Sequence, residues 1–380
     1  MLALYVSNFA YATDAPSVDV LMEDLPLSDI PLARSFPPGE KKPDPHIALL
    51  LPLKSTIFGA SASAVQQGFM AAANLNLTNP HPLSLPVRVY GSFEESKDIV
   101  ATYRHAIASG ARAVVGPLTR SGVSALAEEN DIPVPTLALN VTEQSTAPQL
   151  FFFGMAIESE ARYVARLAAQ QGLHQAIVIS TRSQLSKRLQ SAFESEWSAK
   201  GGTLLRSLEF NGDYTAFANI AARQDTVVFL ATDAANARLI KPYLPNGLPI
   251  YASSLIFTGN HETLLNYDLN NIHFVDMPWL LQPDHPAAMI YPRPDPPLSA
   301  ELERLYAIGI DAFRLVQLMI GKQAEAFMPL DGVSGHIRLE NQIFQREPIH
   351  AIFMQGKARP VDAVPLPDMP MFPDQPVSEP

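Results

Sequence analysis

Hydroxyl-bearing side chains follow the first predicted strand of this chain, at the point where the strand ends. Ser55 and Thr56 come just after the apolar run Ile47–Leu51, and Ser61 and Ser63 open the helical pattern that follows. Free backbone amides at the start of a helix, helped by hydroxyls, can bind a carboxylate or a carbonyl oxygen. The same residue types are ordinary helix caps, so the stretch predicts either a ligand site or, more simply, a capped helix.

Two further loops repeat this arrangement. In VVGPLTRSG, Pro117 lies in a tight turn after a strand, and Thr119 or Ser121 starts a helix. In LALNVTEQS, Asn140 and Thr142 follow the next strand, and an ordinary turn residue is an equal alternative for Asn140. Ligands of open α/β sheets bind beyond the carboxyl ends of the strands, so these loops predict polar groups that converge on one cleft.

Three residues in the second half of the chain are weaker candidates for the same cleft. Arg182 in ISTRSQ would face an anion or simply be solvated. Asp233 in ATDAAN would neutralise a ligand ammonium, although aspartate is a leading helix cap and the cap is the simpler interpretation. Trp279 in VDMPW would stack on a flat ligand or fill the hinge between two lobes.

Motifs of known enzyme classes are missing from the sequence. GASAS has alanine where a GxSxG elbow needs its last glycine, and HExxH, Walker and GxGxxG patterns do not occur. The nine histidines are scattered, and there is no cysteine. We therefore predict a protein that is not an enzyme and uses no cofactor or metal.

Composition narrows the class of partner. The 380 residues are 47% hydrophobic, enough for two folded domains, and the net charge is -11. Binding to nucleic acid needs a surface rich in lysine and arginine, and this acidic chain has no run of basic residues, so we predict no nucleic-acid partner. No apolar run is long enough to span a bilayer, and the lack of cysteine predicts no lipid anchor on that residue.

Short strands alternate with helical patterns along most of the chain. Four strands lie between residues 47 and 139, with helical patterns between them that include Glu95–Ala108, and a fifth strand is Leu150–Phe153. A second series of helices and strands runs from 158 to 275 and includes a helical pattern over 214–222. Such alternation predicts an α/β fold with two doubly wound parallel-sheet lobes. A long helix is predicted over 299–321, and the alternating segments 334–341 and 347–356 predict an antiparallel strand pair.

Several stretches together resemble a known family. HIALLLPLKSTIFGASASAVQQGFMAA, ARAVVGPLTRSGVSALAEENDIPVPTLALN, FFFGMAIESEARYVARLAAQQG, ELERLYAIGIDAFRLV and GVSGHIRLENQIFQREPIHAIFMQGKARPV cover most of residues 46–361. They resemble the type I periplasmic binding protein fold and, more narrowly, the penicillin-binding protein activator family, an LppC-like group of cell-envelope proteins.

The resemblance implies two lobes joined by three crossovers, the first after Phe153, the second near the proline-rich stretch 283–297 and the third before Gly332. Lobe one would hold 46–153 and 298–328, and lobe two would hold 154–297 and 329–362. In this fold the Thr119 loop commonly touches a ligand, and Asn140 and Thr142 match the loop that holds small ligands in amino-acid binders. Members of the activator family are outer-membrane lipoproteins that stimulate a bifunctional peptidoglycan synthase.

The ends of the chain predict its location. Residues 1–12 have the apolar start and small-x-small ending of a signal peptide, and we expect 13–45 to be a proline-rich linker and 363–380 a disordered proline-rich tail. From this sequence we expect neither the family's lipidated cysteine nor its large helical-repeat domain. We expect a periplasmic protein that regulates a bifunctional penicillin-binding protein by contact or, as the alternative, a solute-binding protein for a small polar ligand such as an amino acid.

Overall fold

The computed structural model describes residues 43–77, 85–129, 131–142, 147–218, 220–221 and 224–361. The predicted signal peptide 1–12, nearly all of the linker 13–45 and the tail 363–380 lie outside these ranges. In the described part, no helix is long and apolar enough to cross a membrane.

The described chain alternates strands and helices as the sequence predicts. Its strands are β1 His46–Leu51, β2 Val87–Gly91, β3 Ala111–Val115, β4 Thr136–Ala138, β5 Leu150–Phe152, β6 Gln175–Ser180, β7 Thr203–Glu209, β8 Thr226–Ala231, β9 Ile250–Ala252, β10 Ile272–Asp276, β11 Leu330–Asp331, β12 His336–Glu340, β13 Ile343–Glu347, β14 Ile349–Met354 and β15 Lys357–Pro360. Its α-helices are α1 Gly59–Leu77, α2 Glu95–Ala108, α3 Arg120–Ala127, α4 Ile157–Gln170, α5 Gln184–Ala199, α6 Ala234–Ile240, α7 Thr263–Asn266, α8 Pro278–Leu281, α9 Pro286–Met289 and α10 Ala300–Ile320.

The strands form two sheets, which confirms the predicted α/β fold with two lobes. Lobe one has the order β11-β12-β13-β5-β4-β3-β1-β2, and lobe two has the order β15-β14-β10-β9-β8-β6-β7. The strands β1 to β5 pair in parallel, as do β6 to β10. Both faces of each sheet are covered by apolar side chains, as expected for parallel strands with helices on either side.

The last strands differ from the prediction. Segments 334–341 and 347–356 do not pair with each other: β12 pairs with β13 in lobe one, whereas β14 pairs with β15 in lobe two. Residues 330–347 therefore belong to the first sheet, and the predicted boundary at residue 329 is wrong. The third crossover lies between Glu347 and Ile349 instead of before Gly332. Alternation identifies a strand, but it does not say which sheet the strand joins.

One predicted helix differs in the structure. The segment 214–222 is predicted to be helical, but its described residues, 214–218 and 220–221, contain only a 3-10 turn at Thr215–Phe217. Phe217 and Ile220 are buried in the core of lobe two, and Tyr214 and Ala216 pack against it.

Helix α10 joins the lobes because it returns from lobe two to cover lobe one. It packs across α1 at two glycines: a Cβ on Gly68 would lie 1.9 Å from the Tyr306 carbonyl oxygen, and one on Gly309 would lie 2.1 Å from that of Val65. The two backbones thus approach closely enough that only glycine fits at either position. This contact fixes the helix that forms one wall of the cleft.

Candidate functional site

The loop after β3 is shaped by close contact with the neighbouring strand. Gly116 has φ +108°, and a Cβ there would lie 1.9 Å from the Leu50 carbonyl oxygen, so the turn needs glycine. Thr119 then caps α3, because its hydroxyl accepts a hydrogen bond from the Gly122 amide at 3.1 Å. The Ser121 hydroxyl lies 3.3 Å from that of Thr119. The loop is therefore both a helix start and a surface that presents hydroxyls.

A buried carboxylate occupies the backbone amides of this loop. Glu95, at the start of α2, is 2% exposed, and its oxygens accept hydrogen bonds from the Leu118 amide at 3.1 and 3.2 Å and the Thr119 amide at 2.6 Å. Burial raises the pKa of Glu95, and the bonds from Thr119 and Leu118 partly offset that rise. Donors that the sequence predicts to be free for a ligand are thus already paired within the protein.

The sequence reasoning missed Glu95. It stands in a run of polar residues, GSFEESKD, that predicts an exposed helix start. Only the proximity of β2 and β3 in the sheet order, on either side of β1, brings the start of α2 to the loop after β3.

Asn140 also makes its bonds inside the protein. Its side-chain amide nitrogen donates to the Leu118 carbonyl at 3.2 Å, and its oxygen accepts from the Val141 amide at 3.0 Å. Thr142 is half-buried at the end of a described range. Asn140 therefore ties the loop after β4 to the loop after β3, which is the turn role that the sequence left open.

The loop between β1 and α1, the first of the three predicted loops, makes the local hydrogen bonds of a helix start. The Ser55 hydroxyl accepts hydrogen bonds from the amides of Ile57 at 3.3 Å and Phe58 at 3.2 Å, in the turn that precedes α1. Thr56 is exposed. Neither lines the cavity described next, where Ser61 contributes the hydroxyl from α1.

A cavity of about 390 Å³ lies where these loops meet. Its polar and charged lining residues are Ser61, Thr119, Arg120, Ser121 and Asn140, and its apolar ones are Phe58, Leu118, Leu139, Met155, Leu305 and Ile308. The volume is within the usual range for small-molecule pockets. All of the lining residues belong to lobe one, to α10 or to the first crossover. The cavity is therefore bounded on the lobe-one side of the cleft only, and a few hydroxyl groups face it.

The predicted residues of lobe two do not join this cavity. The Arg182 side chain is 76% exposed and lies 3.1 Å from Glu209. Asp233 accepts a hydrogen bond from the Asn236 amide at 2.8 Å as the cap of α6.

Pro117, in lobe one, is also not among the residues that line the cavity, because it is buried in the turn after β3.

Trp279 takes the second of its two predicted roles. It is 0% exposed at the second crossover, stacks on Tyr306 and is covered by the Arg293 guanidinium 3.7 Å from its ring centre. Its indole N–H donates to Glu303 at 2.5 Å. The ring fills the hinge, and its burial leaves no face for a ligand.

A buried arginine fastens α10 to lobe two. Arg304 donates to both Asp276 oxygens, with a shortest distance of 2.6 Å, and to the carbonyls of Ser254 at 2.9 Å and Phe257 at 2.8 Å. Burial lowers the pKa of Arg304, but the Asp276 carboxylate outweighs it, so the net shift is upward. Sequence gave no signal for this role, because Arg304 stands beside the apolar stripe of a long helix.

A second buried arginine continues this connection. Arg346 on β13 donates to Glu160 on α4 at 3.3 Å and to the Ser334 carbonyl at 2.9 Å, and Glu160 accepts from the Ser254 amide at 3.1 Å. A smaller cavity of about 130 Å³ lies beside the pair. The two arginines form a continuous polar network across the lobes, here called the interlobe network: Arg304, Asp276, Ser254, Glu160 and Arg346.

The described residues contain a histidine pair but no cluster suited to bind a metal ion. No three histidine, aspartate or glutamate residues within them could hold a metal ion. A histidine pair lies on lobe two, with His273 Nδ1 2.9 Å from His350 Nε2 and both rings stacked on Tyr251. Burial and the neighbouring histidine lower the pKa of His350 to about 4, so the pair is neutral at pH 7.

Comparison with known proteins gives a family match. The family described as "LppC putative lipoprotein" matches residues 39–221 and 215–356. A penicillin-binding protein activator LpoA from Haemophilus influenzae is 30% identical over 286 residues, covering 71% of this chain and 47% of that protein. A similar protein from Photobacterium profundum is 25% identical, with 57% of its length covered. The chain thus spans about half the length of the curated relatives it matches.

Solved structures agree with the fold. The C-domain of Haemophilus influenzae LpoA, described as "a regulator of PBP1A", has a TM-score of 0.70 and 26% identity, with 83% of this chain and 100% of that one covered. A "putative branched-chain amino acid ABC transporter" from Chromobacterium violaceum has a TM-score of 0.70 and 35% identity, with 81% and 99% covered. The fold of this chain is therefore similar both to a protein described as a regulator and to one described as a transporter.

Proposed function

We propose that this chain, which belongs to the LppC putative lipoprotein family, regulates a bifunctional peptidoglycan synthase in the cell envelope by direct protein–protein contact and catalyses no reaction itself. The proposal rests on the structural match to a C-domain described as a regulator of PBP1A, which covers the whole of that domain and 83% of this chain. A regulator that acts by contact needs a stable surface, and it needs neither a catalytic group nor a closing cleft.

The geometry of the cleft supports contact over transport. A solute receptor closes two lobes around a ligand, and each ligand charge needs a partner. Here the loop amides are paired with Glu95, and the cavity has no lining residue from lobe two. The interlobe network also joins the lobes with buried charges, which opposes hinge motion.

The proposal is tested with purified components. The full chain is added to the purified bifunctional penicillin-binding protein of the same organism, and the rates of glycan polymerisation and peptide cross-linking are measured. We expect a saturable increase in at least one rate and no turnover of the same substrates by the chain alone. An unchanged synthase, together with no detectable complex, would contradict the proposal.

Binding of a small polar ligand is the second candidate function. It is favoured by the likeness to the transporter from Chromobacterium violaceum and by the hydroxyls of the larger cavity. A thermal-shift screen against amino acids tests it, since a ligand at 100 times its dissociation constant adds about 2.7 kcal/mol to the stability. Ser121→Ala is the matched variant, because it removes a cavity hydroxyl without removing the Thr119 cap. A shift that saturates and is weakened in Ser121→Ala would support ligand binding.

A further inference from the structure

Large apolar side chains are exposed together at one end of lobe two. This surface, here called the distal patch, consists of Leu239, Tyr243, Leu264, Leu265, Tyr267 and Met354. Leu264 is 86% exposed, and each of the others is exposed over about half of its surface. Apolar groups scattered singly are normal on a protein surface, but a cluster of this kind marks a contact site.

Hydrogen bonds and close backbone contacts join the three segments that carry the patch. The Arg238 guanidinium on α6 donates to the Leu265 carbonyl at 3.1 Å, and Lys241 donates to the Asp268 carbonyl at 2.9 Å. The turn between β14 and β15 lies against the same segment, since a Cβ on Gly356 would lie 2.8 Å from the Tyr267 ring. Three elements thus meet and hold the patch in a fixed shape.

The patch lies at the opposite end of lobe two from the cleft. Tyr267 and the residues after it lead directly into β10, and the Asn271 amide donates to the Phe353 carbonyl at 2.8 Å. These residues therefore lie at the amino ends of the parallel strands, whereas Arg182 and Asp233 follow carboxyl ends. A partner bound here leaves the cleft open.

The charge around the patch differs from that of the whole chain. The chain has a net charge of -11, yet Arg238 and Lys241 border the patch and Lys357 is exposed beside Met354. Arg238 and Lys241 donate their hydrogen bonds to carbonyl and amide oxygens, while burial lowers the pKa of Lys241 and the exposed Asp268 carboxylate partly offsets that effect. In the described segments 234–243, 263–269 and 354–357, Arg238, Lys241 and Lys357 thus outnumber the carboxylate of Asp268, and the rim of the patch has a positive balance of charge.

We infer that the distal patch is the surface on which the chain docks onto the synthase, and that the synthase offers an apolar surface bordered by carboxylates. The inference rests on the proposed function and adds its location and chemistry. Apolar side chains supply the buried core of such an interface, and complementary charges at its rim raise the association rate. Because Arg238 and Lys241 are already held by hydrogen bonds, they lose little freedom when a partner binds.

The test measures binding of the full chain to the immobilised, purified bifunctional penicillin-binding protein by surface plasmon resonance. In the test variant, Leu239→Ser and Leu264→Ser are combined. The matched control is Ile57→Ser, an aliphatic side chain that is 79% exposed on lobe one. We expect the double variant to bind at least tenfold more weakly and the control to bind like the unaltered chain. A third variant, Lys357→Glu, should slow association and reduce its dependence on salt.

Each outcome separates this inference from the proposed function. If the unaltered chain binds and the double variant binds equally well, the distal patch is not the docking surface, while the proposed function stands. If the unaltered chain does not bind, the proposed function fails, and the docking inference fails with it. Sedimentation velocity provides a further test: a dimer of the unaltered chain that the double variant lacks would assign the patch to a second copy and overturn the inference.

Discussion

Replacing Arg304 by methionine should be among the most damaging single changes in the molecule. Arg304 is 7% exposed and links α10 to two segments of lobe two, the turn that holds Ser254 and Phe257 and the end of β10 at Asp276. Methionine has a similar length but no charge and no donor. The variant therefore leaves the Asp276 carboxylate, 1% exposed, without its cation and removes one donor from each of two backbone carbonyls, of which that of Ser254 keeps the Phe257 amide at 3.0 Å.

The expected cost follows from the state of the remaining partner. Breaking a buried ion pair by removing one member costs about 3–5 kcal/mol, because the other charge stays buried and unpaired. Asp276 keeps one donor, the Met277 amide at 2.8 Å, which does not neutralise its charge. We therefore expect the free energy of unfolding to fall by about 3–5 kcal/mol. Combining Arg304→Met with Asp276→Asn should recover part of this loss, since no lone charge is then buried.

Urea unfolding followed by tryptophan fluorescence measures the effect. The two tryptophans are both buried, with Trp197 in lobe two and Trp279 at the second crossover, so they report on different parts of the chain. Arg182→Met is the control: it removes the same charge from an ion pair with Glu209 at 3.1 Å, but the two side chains are 76% and 40% exposed. Glu209 also keeps Lys187 at 2.7 Å, so the control should cost about 1 kcal/mol or less.

The reasoning about the interlobe network is refuted if both variants lose a similar, small amount of stability. It is also refuted if the double variant is as unstable as the sum of its single changes, because the pair would then not be energetically coupled. A large loss that appears only in Arg304→Met, and that the double variant partly restores, supports the network as the main connection between the lobes.

Three further predictions concern other parts of the structure. Glu95→Ala leaves the buried amides of Leu118 and Thr119 without an acceptor and should cost about 2–4 kcal/mol, and acetate should raise the melting temperature of this variant but not that of the unaltered chain. Because the pKa of His350 is lowered to about 4 in the folded chain, the contribution of its neutral ring to the free energy of unfolding is fully present above pH 6.5 and is lost as the pH falls toward 4. His350→Gln should therefore remove about 2 kcal/mol of pH-dependent stability, measured by urea unfolding at several pH values across that range. Gly309→Ala should destabilise the fold by about 1–3 kcal/mol in thermal unfolding, although alanine is the better helix former, because its Cβ would clash with the backbone of the facing helix.

The predicted elements in the first half of the chain agree closely with the structure. Helix α2 has the predicted bounds Glu95–Ala108, and β1 is buried at every position, as its unbroken apolar run requires. Such elements are visible in the sequence because their apolar residues recur with a helical or strand period. The cap at Thr119 was likewise predictable, since hydroxyl residues before a helical pattern have a local role.

Long-range pairings were not predictable in this way. The assignment of β12 and β13 to lobe one depends on a contact between Ile343 and Phe152, which are far apart in the chain. The roles of Glu95 and Arg304 depend on partners that lie 23 and 28 positions away. A charged residue in a polar run or beside an apolar stripe has the same local pattern whether it is solvated or buried, so only the tertiary structure distinguishes the two.

The return of α10 to the first sheet has a consequence for how the protein is made. The core on one face of lobe one contains side chains from β1, α1 and α10, so the part of lobe two that runs from α4 to β10 separates its parts along the chain. A ribosome releases the first strands long before it has translated residue 300. The amino-terminal part of the nascent chain must therefore wait with an uncovered apolar face until α10 is made, and lobe two is completed last, because its strands β14 and β15 follow every strand of lobe one.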